Sequence, residues 1–283
     1  MKVGFIGLGA MGLGMANNIA QEGLLAAVYN RTENKALSFA AKLDVDSCSS
    51  PQQLAAQVDM VLLCVSADED VLEMVEAIAE TIPANSCVVD MSTVSNDTAK
   101  KAATILAEKQ VAFLDAPVSG GVEGARKGTL AMMVGGDIQV LDKVRPVLEC
   151  MSSRIVHMGA VGTGQSTKAV NQIMAAGINQ AVTEALAFGL AQGLNLDKVI
   201  DVVSGGAAGN WFLQHRGPSM TKGSFEPGFK LSLHHKDLKI CQKMAEDTDT
   251  TLTLLDKTVL DYAELMRQGY GDDDISALYR LKT

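Results

Sequence analysis

The N-terminal part of the chain shows two patterns of apolar positions, and each predicts a different element. Continuous apolar runs predict buried strands, because a strand covered on both faces has no polar side. Apolar residues at three- and four-residue spacing predict amphipathic helices between the runs. The predicted strands are Val3–Ile6, Ala26–Tyr29, Met60–Val65, Cys87–Met91, Ala112–Asp115, Leu130–Val134 and Arg154–His157, and the predicted helices are Met11–Glu22, Lys35–Leu43, Val71–Glu80, Asn96–Glu108 and Val140–Met151.

Regular alternation of strand and helix predicts an α/β fold with a doubly wound, parallel Rossmann sheet over residues 1–162. The pattern then changes to helices alone, so residues 163–283 are expected to form an all-helical domain. This domain begins with a long linking helix over 163–193, which lacks proline. Further helices are predicted at Asp197–Ser204, Leu231–Thr248, Leu252–Arg267 and Ile275–Leu281.

Two features of the helical region have open interpretations. Gly177 and Gly189 interrupt the long helix; either close helix packing, between subunits for example, or flexibility would explain them. Asn210, Trp211 and Phe212 are expected in a loop. That loop could close over a substrate, although Trp211 could equally be a core residue.

Composition narrows the class of protein. Of 283 residues, 47% are hydrophobic, as in soluble α/β proteins, and the net charge of −9 disfavours nucleic acid or an anionic membrane as a partner. Polar residues within the long helix argue against a membrane span, and no signal-peptide pattern opens the chain. The five cysteines are expected to be buried, reduced thiols, and none has metal-ligand spacing. We therefore expect a cytoplasmic protein without a metal.

A glycine-rich turn follows the first strand. Gly7, Leu8, Gly9, Ala10, Met11 and Gly12 form a Gly-x-Gly-x-x-Gly pattern between a predicted strand and a predicted helix. Gly7 permits the tight turn, Gly9 lets the backbone approach a pyrophosphate, and Gly12 lets the helix pack close to the strand. This arrangement predicts a dinucleotide-binding site.

The second strand bears on the choice of cofactor. An NAD site normally has Asp or Glu at the end of this strand, but here Asn30, Arg31 and Thr32 follow it. Arg31 can pair with a 2′-phosphate, so NADP(H) is predicted over NAD(H). Alternatively, Arg31 is a solvated loop residue and Thr32 only caps the next helix, and Glu33 could turn back toward a ribose.

Three further segments end strands, and ligands bind at the carboxyl ends of strands in open α/β sheets. Cys64, Val65 and Ser66 end one strand, and Thr93 follows another, so these residues are expected near the nicotinamide and its ribose. The third segment contains Ser119, Gly120 and Gly121. Its amides and hydroxyl can bind a carboxylate without a cationic side chain, although a plain connecting loop is the alternative.

The long helix carries the strongest catalytic candidate. Lys168 and Asn171 are three residues apart and share a helix face, which is expected to point into an interdomain cleft. Hydride transfer between a carbinol and nicotinamide needs a proton donor or acceptor and positive charge near the oxygen. A lysine whose pKa is lowered by partial burial meets both needs, and Asn171 would orient the oxygen. A solvated surface lysine is the alternative.

Other dehydrogenase designs do not fit the sequence. None of the four tyrosines has a lysine four residues later, as short-chain reductases require, and the zinc-ligand spacing of alcohol dehydrogenases is missing. His234 and His235 are expected to line the cleft or lie at the surface, not to act as bases.

Taken together, these motifs resemble the β-hydroxyacid dehydrogenase family, which includes 3-hydroxyisobutyrate dehydrogenases and glyoxylate/succinic semialdehyde reductases. The resemblance implies that Lys168 is the catalytic acid/base, that Ser119, Gly120 and Gly121 hold a substrate carboxylate, and that Thr93 and Lys236 contact the cofactor. It also implies homodimers or homotetramers. Cys64, Val65 and Ser66 depart from the family pattern, which more often has a proline there. The motifs that carry the resemblance are Gly7–Gly12, Asp115–Gly121, Gly162–Asn171, Lys236–Leu238 and Gly271–Ala277.

The expected function is NADPH-dependent reduction of small carboxylate-bearing aldehydes to hydroxy acids. The alternatives are an NAD-dependent 3-hydroxyisobutyrate-type dehydrogenase and, from another class, a non-catalytic nucleotide-binding scaffold. Lys168 argues against the scaffold and against imine reductases, which replace this lysine. The helical region is too short for a 6-phosphogluconate dehydrogenase.

Overall fold

A computed structural model describes residues 1–283, which form two compact units, Met1–Lys168 and Ala169–Thr283. The first unit contains nine strands and seven helices. The strands are β1 (Val3–Ile6), β2 (Leu25–Tyr29), β3 (Asp46–Ser47), β4 (Met60–Leu63), β5 (Cys87–Asp90), β6 (Ala112–Asp115), β7 (Val118–Ser119), β8 (Leu130–Gly135) and β9 (Ser152–Gly159). The helices are α1 (Gly12–Gln21), α2 (Glu33–Leu43), α3 (Pro51–Ala55), α4 (Asp68–Ala79), α5 (Asn96–Ala107), α6 (Gly121–Lys127) and α7 (Ile138–Leu148).

The predicted fold class is confirmed. Strands lie in the order β3-β2-β1-β4-β5-β6, and every pairing among them is parallel. All residues of β1, β4 and β5 are buried, as their continuous apolar runs predict. Separate apolar clusters form on the two faces, one around Phe5, Met15 and Leu62 and the other around Ile6, Leu63 and Val75. Because the central strands are parallel, their carboxyl ends lie at one edge of the sheet.

The far end of the sheet differs from the prediction of parallel strands. β8 pairs antiparallel with β6 and β7, and only its pairing with β9 is parallel. Four short elements, β3, α3, β7 and α6, are not predicted from the sequence, because two to seven residues are too few to show a period.

The second unit is helical, as predicted. The helices are α8 (Thr163–Ala191), which begins in the first unit, α9 (Leu196–Ser204), α10 (Trp211–Met220), α11 (Leu231–Glu246), α12 (Thr253–Arg267) and a 3₁₀ helix at Ile275–Leu281. Their core includes Ala176, Leu186, Leu238 and Tyr262.

The prediction of a loop around Asn210, Trp211 and Phe212 is wrong. Asn210 caps α10, since its Oδ1 accepts a hydrogen bond from the amide of Leu213, and Trp211 is the first helical residue. Gly217 and Pro218 disfavour a helix prediction from the sequence, because both residues have low helix propensity. Burial of Phe212 and Leu213 nevertheless stabilises the helix. Trp211 is 59% exposed, so it is not a core residue either.

α8 is long and apolar enough, by length and composition alone, to cross a membrane, a test that core helices of soluble proteins also pass. Two buried polar residues in its middle have partners inside the second unit: Asn179 donates to the Tyr262 hydroxyl and Gln180 to Asp261. A Cβ on Gly177 would meet only the end of the Leu254 side chain, at 3.3 Å, so packing within the chain does not require glycine at this position.

Two expectations about side chains need correction. Cys64 and Cys150 are only half-buried, whereas Cys48, Cys87 and Cys241 are buried; none of the five forms a disulfide. His234 lies neither at the surface nor in a cleft lining: it is fully buried and hydrogen-bonds to the Tyr262 hydroxyl and the carbonyl of Gln172.

Candidate active site

The glycine loop joins β1 to α1 at the carboxyl edge of the sheet. Backbone atoms fill the space next to two of its glycines: a Cβ would lie 2.1 Å from the Cys64 carbonyl oxygen at Gly7 and 1.8 Å from the Gly7 carbonyl oxygen at Gly12. Gly9, by contrast, is exposed and has nothing within 4 Å of the Cβ position. The loop therefore has the open backbone approach that a pyrophosphate needs.

Asn30 has a structural role in the glycine loop that the sequence did not indicate. Its Oδ1 accepts a hydrogen bond from the amide of Leu8 at 2.8 Å, and its Nδ2 donates to the carbonyl of Thr32 at 3.0 Å. The amide of Gly7 bonds to the carbonyl of Tyr29 beside it. Asn30 thus fixes the glycine loop to the end of β2.

Arg31 and Thr32 lie at the surface next to this loop. The Arg31 side chain is 83% exposed, and its Nη1 is 3.1 Å from Oδ1 of Asp70. Thr32 occupies the N-cap position of α2 without a capping hydrogen bond from its side chain. Arg31 is therefore accessible to an anion but already has a carboxylate neighbour.

The segments after β4 and β5 face each other. Both strands end earlier than predicted, which leaves Cys64, Val65, Ser66 and Thr93 in connecting segments. The amide of Val65 donates to the Ser92 hydroxyl at 2.9 Å, and Ser66 is exposed. Thr93 is half-buried.

A glutamine from α8 holds the segment that contains Thr93. The Nε2 of Gln165 donates to the Ser92 carbonyl at 2.8 Å, and its Oε1 accepts from the Val94 amide at 3.2 Å. Gln165 is 1% exposed. No sequence pattern indicates this role, because the two partners of Gln165 are more than 70 positions away.

Asp115, at the end of β6, is a second residue that the sequence left without a separate role. Its carboxylate is fully buried and accepts hydrogen bonds from the amides of Gly162 at 2.7 Å and Gln165 at 2.9 Å. Burial raises the pKa of this carboxyl, and the bonds from the backbone amides oppose that effect. Asp115 thus satisfies amides at the start of α8, where a negative charge is favourable.

Lys168 lies just after this start and is only 7% exposed. Its Nζ donates to the carbonyl oxygen of Val118 at 2.9 Å. Val118 and Ser119 form β7, and Gly120 and Gly121 follow with φ of 136° and 63°. The structure therefore places the ammonium next to the turn predicted to bind a carboxylate, and not in bulk water.

The remaining predicted site residues, Asn171 and Lys236, belong to the second unit. Asn171 donates to Oε1 of Gln172 at 2.8 Å, Gln172 donates to Asp237 at 2.6 Å, and Asp237 lies 3.0 Å from Nζ of Lys236. A chain of polar contacts thus connects Asn171 on α8 with Lys236 on α11.

No group of three or more His, Cys, Asp or Glu residues could hold a metal ion in the structure. The polar groups that the structure offers at this edge of the sheet are one buried lysine, hydroxyls and backbone amides.

A Rossmann sheet with an open glycine loop and a buried lysine at its carboxyl edge defines the class of protein: an oxidoreductase that uses a nicotinamide dinucleotide. Residues 2–159 match the family described as NAD binding domain of 6-phosphogluconate dehydrogenase. Residues 162–282 match the family described as NAD-binding of NADP-dependent 3-hydroxyisobutyrate dehydrogenase. The chain belongs to the β-hydroxyacid dehydrogenase family.

Individual relatives support this assignment along the whole chain. The chain is 37% identical to 2-hydroxy-3-oxopropionate reductase of Escherichia coli, over 87% of this chain and 85% of the relative. It is 31% identical to mouse mitochondrial 3-hydroxyisobutyrate dehydrogenase, over 98% of this chain and 86% of the relative. The solved structure of Mycobacterium tuberculosis 3-hydroxyisobutyrate dehydrogenase with L-serine is 31% identical, has a TM-score of 0.91, and aligns over 99% of this chain and 98% of that one.

Proposed function

We propose that this member of the family is an NADPH-dependent reductase of small aldehydes that carry a carboxylate, such as succinic semialdehyde or glyoxylate. The observation that carries the proposal is the buried ammonium of Lys168, 2.9 Å from the Val118 carbonyl and next to the turn at Ser119. The names of the relatives, a 2-hydroxy-3-oxopropionate reductase and a 3-hydroxyisobutyrate dehydrogenase, support substrates of this class.

Each residue of the site has a separate task. The cofactor, when bound, supplies the hydride. Lys168 holds a proton at Nζ and donates it to the aldehyde oxygen, which gains negative character in the transition state. Ser119, Gly120 and Gly121 bind the substrate carboxylate, which fixes the aldehyde carbon. For Asn171 and Lys236 we propose the roles that the family resemblance implies, orientation of the substrate oxygen and contact with the cofactor.

Lys168→Ala tests the catalytic role. Without the proton donor we expect kcat to fall by at least about a hundredfold, while NADPH binding is retained. The control is Lys100→Ala, which removes a 57%-exposed lysine from α5 and should leave turnover unchanged. Steady-state rates on a panel of aldehydes and hydroxy acids, measured with both cofactors, provide the readout. Unchanged turnover in Lys168→Ala would refute the proposal.

The alternative, an NAD-dependent 3-hydroxyisobutyrate-type dehydrogenase, is favoured by one observation. The carboxylate of Asp70 lies 3.1 Å from the Arg31 guanidinium, and it would repel a 2′-phosphate bound there. NADPH is preferred in the proposal because no carboxylate ends β2, where Asn30 contacts the glycine loop.

Two neighbouring variants distinguish these cofactors. If Arg31 pairs with the 2′-phosphate, Arg31→Ala should weaken NADPH binding about tenfold and leave NADH binding unchanged. Asn30→Ala is the matched comparison: loss of its bond to the Leu8 amide should weaken both cofactors by a similar factor. Fluorescence titration gives the dissociation constants. Equal effects of Arg31→Ala on both cofactors, or tighter NADH binding by the wild type, would favour the NAD-dependent enzyme.

A further inference from the structure

We propose that Gln165 is a positioning residue for hydride transfer, because it fixes Thr93 relative to the turn of α8 that carries Lys168. This inference rests on the proposed function, in which Thr93 lies at the cofactor and Lys168 supplies the proton. Gln165 itself need not contact either reactant.

The side-chain amide of Gln165 hydrogen-bonds to the backbone on both sides of Thr93. Its Nε2 donates to the Ser92 carbonyl at 2.8 Å, and its Oε1 accepts from the Val94 amide at 3.2 Å. β5 ends at Asp90, so this segment has no strand neighbour to satisfy these two backbone groups. The glutamine supplies in their place one donor and one acceptor from a fully buried side chain.

The backbone of the same residue is attached to a different strand. The Gln165 amide donates to Oδ2 of Asp115 at 2.9 Å. Lys168 follows within one turn of helix, and its Nζ bonds to the Val118 carbonyl at 2.9 Å. Gln165 is thus the point where the segment after β5 and the end of β6 are both held to the start of α8.

Glutamine supplies both a donor for the Ser92 carbonyl and an acceptor for the Val94 amide at this position. A glutamate would keep an acceptor for the Val94 amide but would place a carboxylate oxygen against the Ser92 carbonyl. A methionine would keep the length of the side chain and remove both hydrogen bonds. These two substitutions therefore separate the volume of the side chain from its polar contacts.

Loss of the two Gln165 side-chain hydrogen bonds should affect the rate of the chemical step more than the affinity for the cofactor. The partners that the structure gives Gln165 lie after β5, at the end of β6 and in α8, whereas the glycine loop is held by Asn30. A displacement of about 1 Å between reacting groups can slow a reaction about a hundredfold. Binding of the dinucleotide depends on the loop and should change little.

The experiment compares Gln165→Met and Gln165→Glu with Ser166→Ala. Ser166 lies in the same turn, and its hydroxyl donates to the carbonyl of Gly162, the residue just before α8, at 3.0 Å. In Gln165→Met we expect kcat to fall about 10- to 100-fold, with an NADPH dissociation constant within about threefold of wild type. The deuterium isotope effect on kcat with NADPH labelled at the transferred position should rise. Gln165→Glu should lose at least as much, because its carboxylate oxygen would lie against the Ser92 carbonyl, and Ser166→Ala should match wild type.

A rate loss matched by an equal loss of NADPH affinity, or a kcat equal to that of Ser166→Ala, would overturn the positioning role. Hydrogen exchange gives a readout that needs no substrate: the Val94 amide should exchange faster in Gln165→Met than in wild type or Ser166→Ala. Unchanged exchange refutes the role of Gln165 alone. A wild type that reduces no aldehyde with either cofactor refutes the proposed function instead, so the two failures are distinguishable.

Discussion

At the scale of single residues, Asp90 is the clearest case of a carboxyl with a perturbed pKa. It is fully buried at the end of β5; its Oδ1 accepts from the Ser92 amide at 2.9 Å, while Oδ2 has no hydrogen-bond partner. Burial raises its pKa from 3.8 to about 6, and the nearby Asp115 and Asp68 add to this effect. The folded protein therefore holds this proton more tightly than the unfolded chain does.

This difference predicts a pH dependence of stability. The contribution of Asp90 is fully present below about pH 4, where the group is protonated in both states, and is lost as pH rises to about 6. At about 1.4 kcal/mol per pKa unit the loss amounts to about 3 kcal/mol. Asp90→Asn should remove this fall from the free energy of unfolding, measured by urea denaturation between pH 4 and pH 7.

The test is the slope of the free energy of unfolding against pH and not its absolute value. The new amide hydrogens of Asp90→Asn lack an acceptor and would lower stability at every pH. Parallel profiles for wild type and Asp90→Asn would show that Asp90 does not titrate in this range. Glu22→Gln, at an exposed position, is a control for the loss of one carboxylate.

At the scale of elements, the start of α8 depends on a close approach to the sheet. A Cβ on Gly164 would lie 2.5 Å from the Met133 carbonyl oxygen, 2.7 Å from that of Asp115 and 2.8 Å from Asp115 Oδ2. Two of these contacts are backbone atoms, which cannot rotate away. The helix that carries Lys168 can therefore reach its position only with glycine here.

Gly164→Ala should displace the first turn of α8. We expect a loss of about 1–3 kcal/mol in the free energy of unfolding, as for other overpacked positions, and a lower kcat because Lys168 moves with the turn. Gly177→Ala is the matched control on the same helix: its new Cβ would meet only the mobile end of Leu254 at 3.3 Å, and helix propensity favours alanine. Similar melting temperatures and rates for the two variants would contradict this account.

At the scale of the whole molecule, the proposed cofactor preference should appear as a difference in thermal stability. A ligand that binds only the folded protein stabilises it by about 2.7 kcal/mol at 100 times its dissociation constant. At equal concentrations, NADPH should therefore raise the melting temperature more than NADH does. Lys168→Ala should keep this difference, because the lysine serves the chemical step.

Scanning fluorimetry with each dinucleotide measures the shift directly. An equal or larger shift with NADH would argue for the alternative function. Cytoplasmic location and assembly into homodimers or homotetramers stay predictions from the sequence and the family resemblance.

The sequence by itself determined the features that repeat locally or need a special residue. Continuous apolar runs predict the strands β1, β4 and β5. The glycine loop is predicted by the glycines that its backbone geometry requires. Lys168 was recognisable because its spacing from Asn171 and from the preceding glycines matches the family.

Only the tertiary structure decided which residues support these features. Asp115 binds the amide of Gly162, Gln165 binds Ser92 and Val94, and Asn30 binds Leu8. α10 likewise forms despite Gly217 and Pro218, because Phe212 and Leu213 are buried in the second unit. Local periodicity carries no information about such contacts, since they join residues that become neighbours only when the sheet order and the path of the helices bring distant segments together.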